Sequence, residues 1–189
     1  MGLKCSQITK VGLLPLSLVA WRIDHWLSRV LTRGGFADQT TRGDKDLEGI
    51  ELVELTAESC ALLNQVASEV FDFEVDPIQL AAFIEDPRHV MVLAVKNRWV
   101  VGMGSAVEYF HPDKTPQLWI NEVGVGVDYR GYRIGVMITE WLIHRAKALE
   151  CSAVWLATEA DNASAERCYQ RVQPRPTSSS VVMYDFKLD

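Results

Sequence analysis

Metal and redox spacings are missing from this sequence. Its four cysteines (Cys5, Cys60, Cys151 and Cys168) form no CxxC pair, and its four histidines (His25, His89, His111 and His144) form no HExxH. No zinc-type or dithiol motif is therefore present, and no metal is expected. Reduced cysteines fit a cytoplasmic protein best, so the sequon Asn162-Ala163-Ser164 reads as chance. Positive charge is also short, with 19 Lys+Arg against 25 Asp+Glu and a formal charge of −6. That balance disfavours a nucleic-acid binder working by phosphate neutralisation. No internal repeat appears, and Ser178-Ser179-Ser180 is the one low-complexity stretch.

What is present is an ordinary globular composition, with 48% hydrophobic and 23% charged residues over 189 positions. This argues against a collagen, a disordered chain and a polytopic membrane protein. The length suits one domain with additions. The charge is unevenly placed. Residues 1–48 carry 7 basic and 5 acidic groups, and residues 49–189 carry 12 basic and 20 acidic groups. Between Gly49 and Pro87 there is no Lys or Arg but nine acids, including Asp72, Glu74 and Asp76. Such a run is either a solvated acidic face or a negative field that attracts a cationic partner.

The first fifty residues are set apart. Lys4 and Lys10 with the apolar run Val11–Trp21 faintly resemble a secretory signal, but Pro15 interrupts the run. Residues 21–33 place Ile23, Trp26, Leu27, Val30 and Leu31 on one helical face, and Gly34-Gly35 ends it. The preferred reading is an amphipathic helix that packs on the domain or on a second subunit. Residues 36–48 read as a polar linker. Met1-Gly2…Ser6 also matches a short myristoylation pattern. An upstream extension of the reading frame, with the domain starting near Ile50, is the other option. The division is therefore 1–48 and 49–189.

Further on, Ile50–Leu55 reads as a strand. Thr56 caps a helix running to about Val70. Asp76-Pro77 opens a short helix to Ile84. His89–Val95 and Trp99–Phe110 form a hairpin around Lys96-Asn97-Arg98, and His111–Pro116 is a loop. Gln117–Val127 is a long strand. A helix follows from Gly131 or Ile134 to Leu149, with Ile134, Ile138, Trp141, Leu142 and Leu149 on its inner face. Ala153–Thr158 reads as a strand, Asn162–Arg171 as a helix and Val181–Lys187 as a last strand. A meander followed by strand–helix alternation implies an α/β fold, a central mixed sheet with helices on both faces.

The chemistry lies in Asn121–Gly135, NEVGVGVDYRGYRIG. Gly124 and Gly126 interrupt a strand pattern, which marks a bulge or a close backbone approach. Strand, glycine-bearing turn and helix start together make an anion cradle, with Arg130 and Arg133 adding charge. A dinucleotide fingerprint from Gly124 fails at Tyr129, and no Gly-Lys-Ser/Thr phosphate loop exists.

What remains is R-x-x-R-I-G, Arg130–Gly135. It resembles the acetyl-CoA signature R/Q-x-x-G-x-G/A of the GNAT N-acetyltransferases. Asn162-x-x-Ala165…Cys168-Tyr169 resembles that family's second motif, and the resemblance covers about 50–189. Arg133 stands where the signature has its first glycine, and Gln173-Pro174 where Gly-Phe usually follows the second motif.

The resemblance implies the GNAT fold with a bulged strand, and acetyl-CoA as co-substrate. For that cofactor it implies contacts from Val123, Gly124, Val125, Arg130, Gly131, Tyr132, Arg133, Ile134, Gly135 and Asn162. Within the family an amine attacks the thioester directly. Glu122 is then the base, acting directly or through water. The backbone N–H of Val123 serves the developing oxyanion, and Tyr169 protonates the leaving thiolate. Other roles for these residues are a salt-bridged sheet residue for Glu122, core packing for Tyr169 and a plain N-cap for Asn162.

The stretch around INEVGV, after a hairpin ending YFHPDK, most resembles the aminoglycoside 3-N-acetyltransferases, which act in antibiotic resistance. That likeness implies a cationic small-molecule amine as acceptor. Asp72, Glu74 and Asp76 are the candidates to hold it, with Tyr109 and His111 as weaker ones. A polyamine, a peptide N-terminus or a lysine is an alternative acceptor. A non-catalytic acyl-CoA sensor and a partner-binding domain are alternatives of other classes. A homodimer is an option the family allows, and neither nucleic acid nor membrane is expected as a partner.

Overall fold

A computed structural model of the chain describes residues 48–188. The expected helix at 21–33 and nearly all of the linker lie outside them. Five strands form one sheet in the order β1-β2-β3-β4-β5: Ile50–Glu54, His89–Lys96, Trp99–His111, Lys114–Val125 and Ala153–Trp155. The first four are antiparallel neighbours, and β5 runs parallel to β4. Three α-helices accompany them, α1 (Pro77–Glu85), α2 (Ile134–Ala148) and α3 (Ala163–Tyr169). The mixed α/β architecture is the one expected.

Local chemistry accounts for the well-formed elements. Asp76 caps α1 by accepting from the amides of Ile78 and Gln79 at 2.8 and 2.9 Å, with Pro77 in the first turn. The β2–β3 turn holds Asn97 and Arg98 at φ of 50° and 68°, the paired left-handed conformation a two-residue hairpin needs. On one sheet face α2 buries Ile134, Ile138 and Leu142 against Val92, Val101, Leu118 and Ile120. Arg145 on α2 also pairs with Glu54 of β1 at 3.1 Å. On the other face Leu63, Val70 and partly buried side chains of α1 cover Leu93, Val100 and Met103.

Four local expectations are corrected. The helix from Thr56 to Val70 is reduced to a single 3-10 stretch at Cys60–Asn64, preceded by Ser59. Sheet bonding captures the chain beyond it. The amide of Ala67 donates to Val100 O, and the amide of Val100 donates to Gln65 O, both at 2.8 Å. The expected loop 111–116 is a two-residue turn, with His111 paired across to Lys114, so β4 starts earlier. No strand forms at Val181–Lys187. Val181, Val182, Met183, Tyr184, Phe186 and Leu188 are all exposed there, because an alternating pattern becomes a strand only where an edge pairs with it. Finally, Cys60 is buried and disulfide-bonded rather than reduced, while Cys151 and Cys168 are free.

No helix among the described residues is long and apolar enough to cross a membrane. Nor do they contain a group of three or more His, Cys, Asp or Glu side chains placed to hold a metal ion.

Candidate functional site

The site is built where β4 outruns β5. The β4–β5 ladder covers Gln117–Trp119 and Ala153–Trp155 and stops there, whereas β4 continues to Val125. The two strands are thus paired at one end and unpaired at the other. Along that free length the register against β3 shifts, with Ser105 opposite Glu122 and Ala106 opposite Ile120. Asn121 is the extra residue, a β-bulge. The bulge lies before the glycines rather than at them. It turns Glu122 onto the face of Ser105 and Met103, away from α2.

Gly124 has a different purpose. A Cβ there would lie 2.1 Å from the carbonyl oxygen of Val70. The missing side chain lets the segment around Val70 cross directly over β4. Two contacts pin that segment. The Val127 amide donates to Ser68 O at 3.3 Å, and Arg130 pairs with Glu69 at 2.8 Å. The crossing brings Asp72 into the electrostatic range of Glu122. Glu122 is raised above the ordinary carboxylate range, first by burial and second by the Asp72 charge. A carboxylate tuned upward suits a general base.

Of the other acids, Asp76 already has Oδ1 engaged by two helix amides. Glu74 is exposed. Tyr109 is half exposed on the Glu122 face of the sheet. The His111 imidazole bonds the Asp113 carboxylate within the hairpin turn.

The other side of the bulged strand meets the first turn of α2. A Cβ on Gly135 would lie 3.8 Å from Val123 and 3.9 Å from Val125, and 3.0 Å from Cys168 Sγ on α3. Strand, helix start and α3 converge on this glycine. Arg133 occupies the N-cap of α2 at φ 62°, ψ 11°, and makes no side-chain cap. The position does require the left-handed conformation that the signature glycine supplies. The first-turn amides after it are left for an outside acceptor. Gly131, at φ 87°, has nothing within 4 Å of its would-be Cβ, so the turn is open. This cradle fits the diphosphate of a coenzyme.

Arg130 serves differently. Its Nε donates to Val125 O at 3.0 Å and its Nη2 holds Glu69, so it braces the turn. Tyr132 packs on the core. Asn162 accepts from the Ala165 amide at 3.0 Å and is the cap of α3. Tyr169 is pushed up to about 12 by burial, with Cys168 and Glu159 adding to the shift. It therefore carries its proton across the neutral range.

Residues 56–173 match the sequence profile of the acetyltransferase (GNAT) family. The chain belongs to that family. Solved structures share its fold at low identity. One is the aminoglycoside acetyltransferase meta-AAC0020 from an uncultured soil metagenomic sample, solved with trehalose. It has a TM-score of 0.65 and 13% identity, covering 76% of this chain and 99% of that one. The same protein has been solved with sisomicin. A second is aminoglycoside N-acetyltransferase AAC(6')-Iy in complex with CoA, with TM-score 0.59, 10% identity and coverage of 74% and 95%. A third is ribosomal-protein-alanine N-acetyltransferase from Brucella melitensis biovar Abortus 2308, with TM-score 0.51, 16% identity and coverage of 71% and 99%. No curated protein sequence matches this GNAT chain.

Trp119 and Trp155 escaped the sequence reading. Trp119 stands on the Glu122 face, and the two rings lie 4.2 Å apart between centroids. Trp119 sits three positions before Glu122, odd spacing that places it on the opposite face unless the bulge is known.

Proposed function

We propose that this GNAT chain transfers acetyl from acetyl-CoA to a primary amine of a cationic small molecule. The reading extends to an aminoglycoside modified at its 3-amino group, with antibiotic resistance as the biological outcome and the cytoplasm as the place of action. A homodimer is compatible with it and not required. The observation that carries the reading is Glu122, a carboxylate raised by burial and by the charge of Asp72, on the face of the bulged strand turned away from α2. The acidic run of residues 49–87 and the aminoglycoside-modifying fold neighbours support the choice of acceptor.

Acetyl-CoA supplies an activated thioester. Its diphosphate would be held by the first-turn amides of α2 and the Arg133 guanidinium. Glu122 takes the proton that the ammonium must lose before it can attack, and Asp72 favours the cationic acceptor nearby. The Val123 amide is the donor for negative charge on the acyl oxygen. Tyr169 returns a proton to the departing sulfur.

The test is thiol release from acetyl-CoA over a panel of aminoglycosides, linear polyamines, and peptides with free N-termini or lysines, with the product position read by NMR. The expected result is release with aminoglycosides and a 3-N-acetyl product. Release only with peptides would overturn the acceptor class. Binding of acetyl-CoA without release to any amine would make the chain a sensor.

A further inference from the structure

Outside the groups used above, the largest unassigned feature on the acceptor side is aromatic. The register fixes which side chains share a face there. Trp119 is opposite Val107 on β3 and Trp155 on β5, while Tyr109 is opposite Gln117. Glu122 is opposite Ser105, two residues from Val107, so Tyr109, Trp119, Trp155 and Glu122 all stand on one face. Trp155 meets Trp119 at 4.2 Å and Tyr109 edge-on at 6.4 Å. Trp155 and Tyr109 are each 45% exposed. Trp119 and Trp155 border the end of the β4–β5 ladder, where the strands part, and Tyr109 stands behind them opposite Gln117.

We infer that Tyr109, Trp119 and Trp155 form a specificity subsite that holds a cationic ring of the acceptor beside Glu122. The inference rests on the reading above and deepens it. Two properties select this occupant. The faces of indole and phenol rings carry negative quadrupole potential and attract ammonium groups. They also offer flat apolar area to the hydrocarbon face of a saturated ring. The neighbouring Glu122 and Asp72 carboxylates complement the same cation and repel an anionic ligand. A linear polyamine meets the charges but lacks a ring to lay on the wall, so the subsite favours a cyclic acceptor.

The experiment uses the full chain with sisomicin and spermidine as probes, comparing Trp155→Leu, Trp155→Phe and Trp99→Leu. Trp99 is a half-exposed tryptophan in the distant β2–β3 hairpin and serves as the surface control. Thiol release gives KM, and quenching of tryptophan emission gives binding without turnover. Trp155→Leu is expected to raise the KM for sisomicin about tenfold, within the range of a cation–π contact, and that for spermidine much less. The Kd for coenzyme A should stay unchanged. Trp155→Phe should recover most of the loss, and Trp99→Leu should match the parent. An unchanged sisomicin KM in Trp155→Leu would overturn the subsite and leave the reaction standing. Sisomicin binding that depends on Trp155 without thiol release would uphold the subsite and remove the proposed reaction. Absence of sisomicin binding to the parent chain would overturn the subsite.

Discussion

Replacing Arg133 with glycine should leave the protein more stable than replacing it with alanine. Arg133 is held at φ 62°, ψ 11° as α2 begins. For an L-residue this left-handed conformation costs roughly 1–2 kcal/mol, because Cβ crowds the backbone. Glycine adopts it freely but loses more chain entropy on folding, roughly 0.5–1 kcal/mol. The net gain is about 0.5–1 kcal/mol, equivalent to an upward shift of about 1–4 °C in Tm for a protein of this size. The side chain itself must be separated from the backbone effect. Arg133→Ala provides that control, since it removes the same guanidinium and keeps a Cβ in the strained conformation. Thermal and urea melts followed by circular dichroism, together with calorimetric titration of coenzyme A, resolve the two. Arg133→Gly should be more stable than Arg133→Ala by about 1 kcal/mol. Both should bind coenzyme A more weakly than the parent, by a similar factor, since both lose a charge beside the cradle. Equal stability of the two variants would refute the claim that this backbone is strained. Undiminished coenzyme A affinity in both would refute a role for the guanidinium.

Three further outcomes follow from the site. Asp72→Asn removes a charge that raises Glu122, so the acid limb of kcat/KM should move to lower pH; a stationary limb would separate the two carboxylates. Tyr169→Phe should slow thiol release at least tenfold while the Kd for coenzyme A stays within about twofold, because a phenol held at about 12 keeps its proton at neutral pH; equal losses in both would make it a packing residue. Gly124→Ala drives a methyl to 2.1 Å from a backbone oxygen that cannot rotate away. It should destabilise the fold by about 1–3 kcal/mol in a urea melt, and raise the acceptor KM as Asp72 is displaced; wild-type values in both would sink the crossing argument.

Locally encoded features were legible in the sequence. Asp76-Pro77 announced a capped helix, Lys96-Asn97-Arg98 a hairpin turn, and Asn121–Gly135 a strand, a turn and a helix start, since each depends on residues close by in the chain. The Thr56–Val70 expectation failed because Gln65–Ala67 find their partners on Val100, more than thirty positions away. The Val181–Lys187 expectation failed for the converse reason, since β propensity without a neighbouring edge leaves the chain irregular. The site divided along the same line. Glu122, Asp72 and Tyr109 were candidates from the chain, but Trp119 shares the Glu122 face only through a one-residue bulge that reverses every side chain beyond it. Gly124 was singled out for close approach by a ligand, and what approaches is the protein's own Val70.

Arg130 acts mechanically as well as electrostatically. By gripping Val125 O with one nitrogen and Glu69 with another, it yokes the loop leading into α2 to the strap that carries Asp72. The loop and the strap are therefore tethered twice, by this side chain and by the Val127–Ser68 main-chain bond. A shift of that loop would carry the strap with it, and Asp72 with the strap.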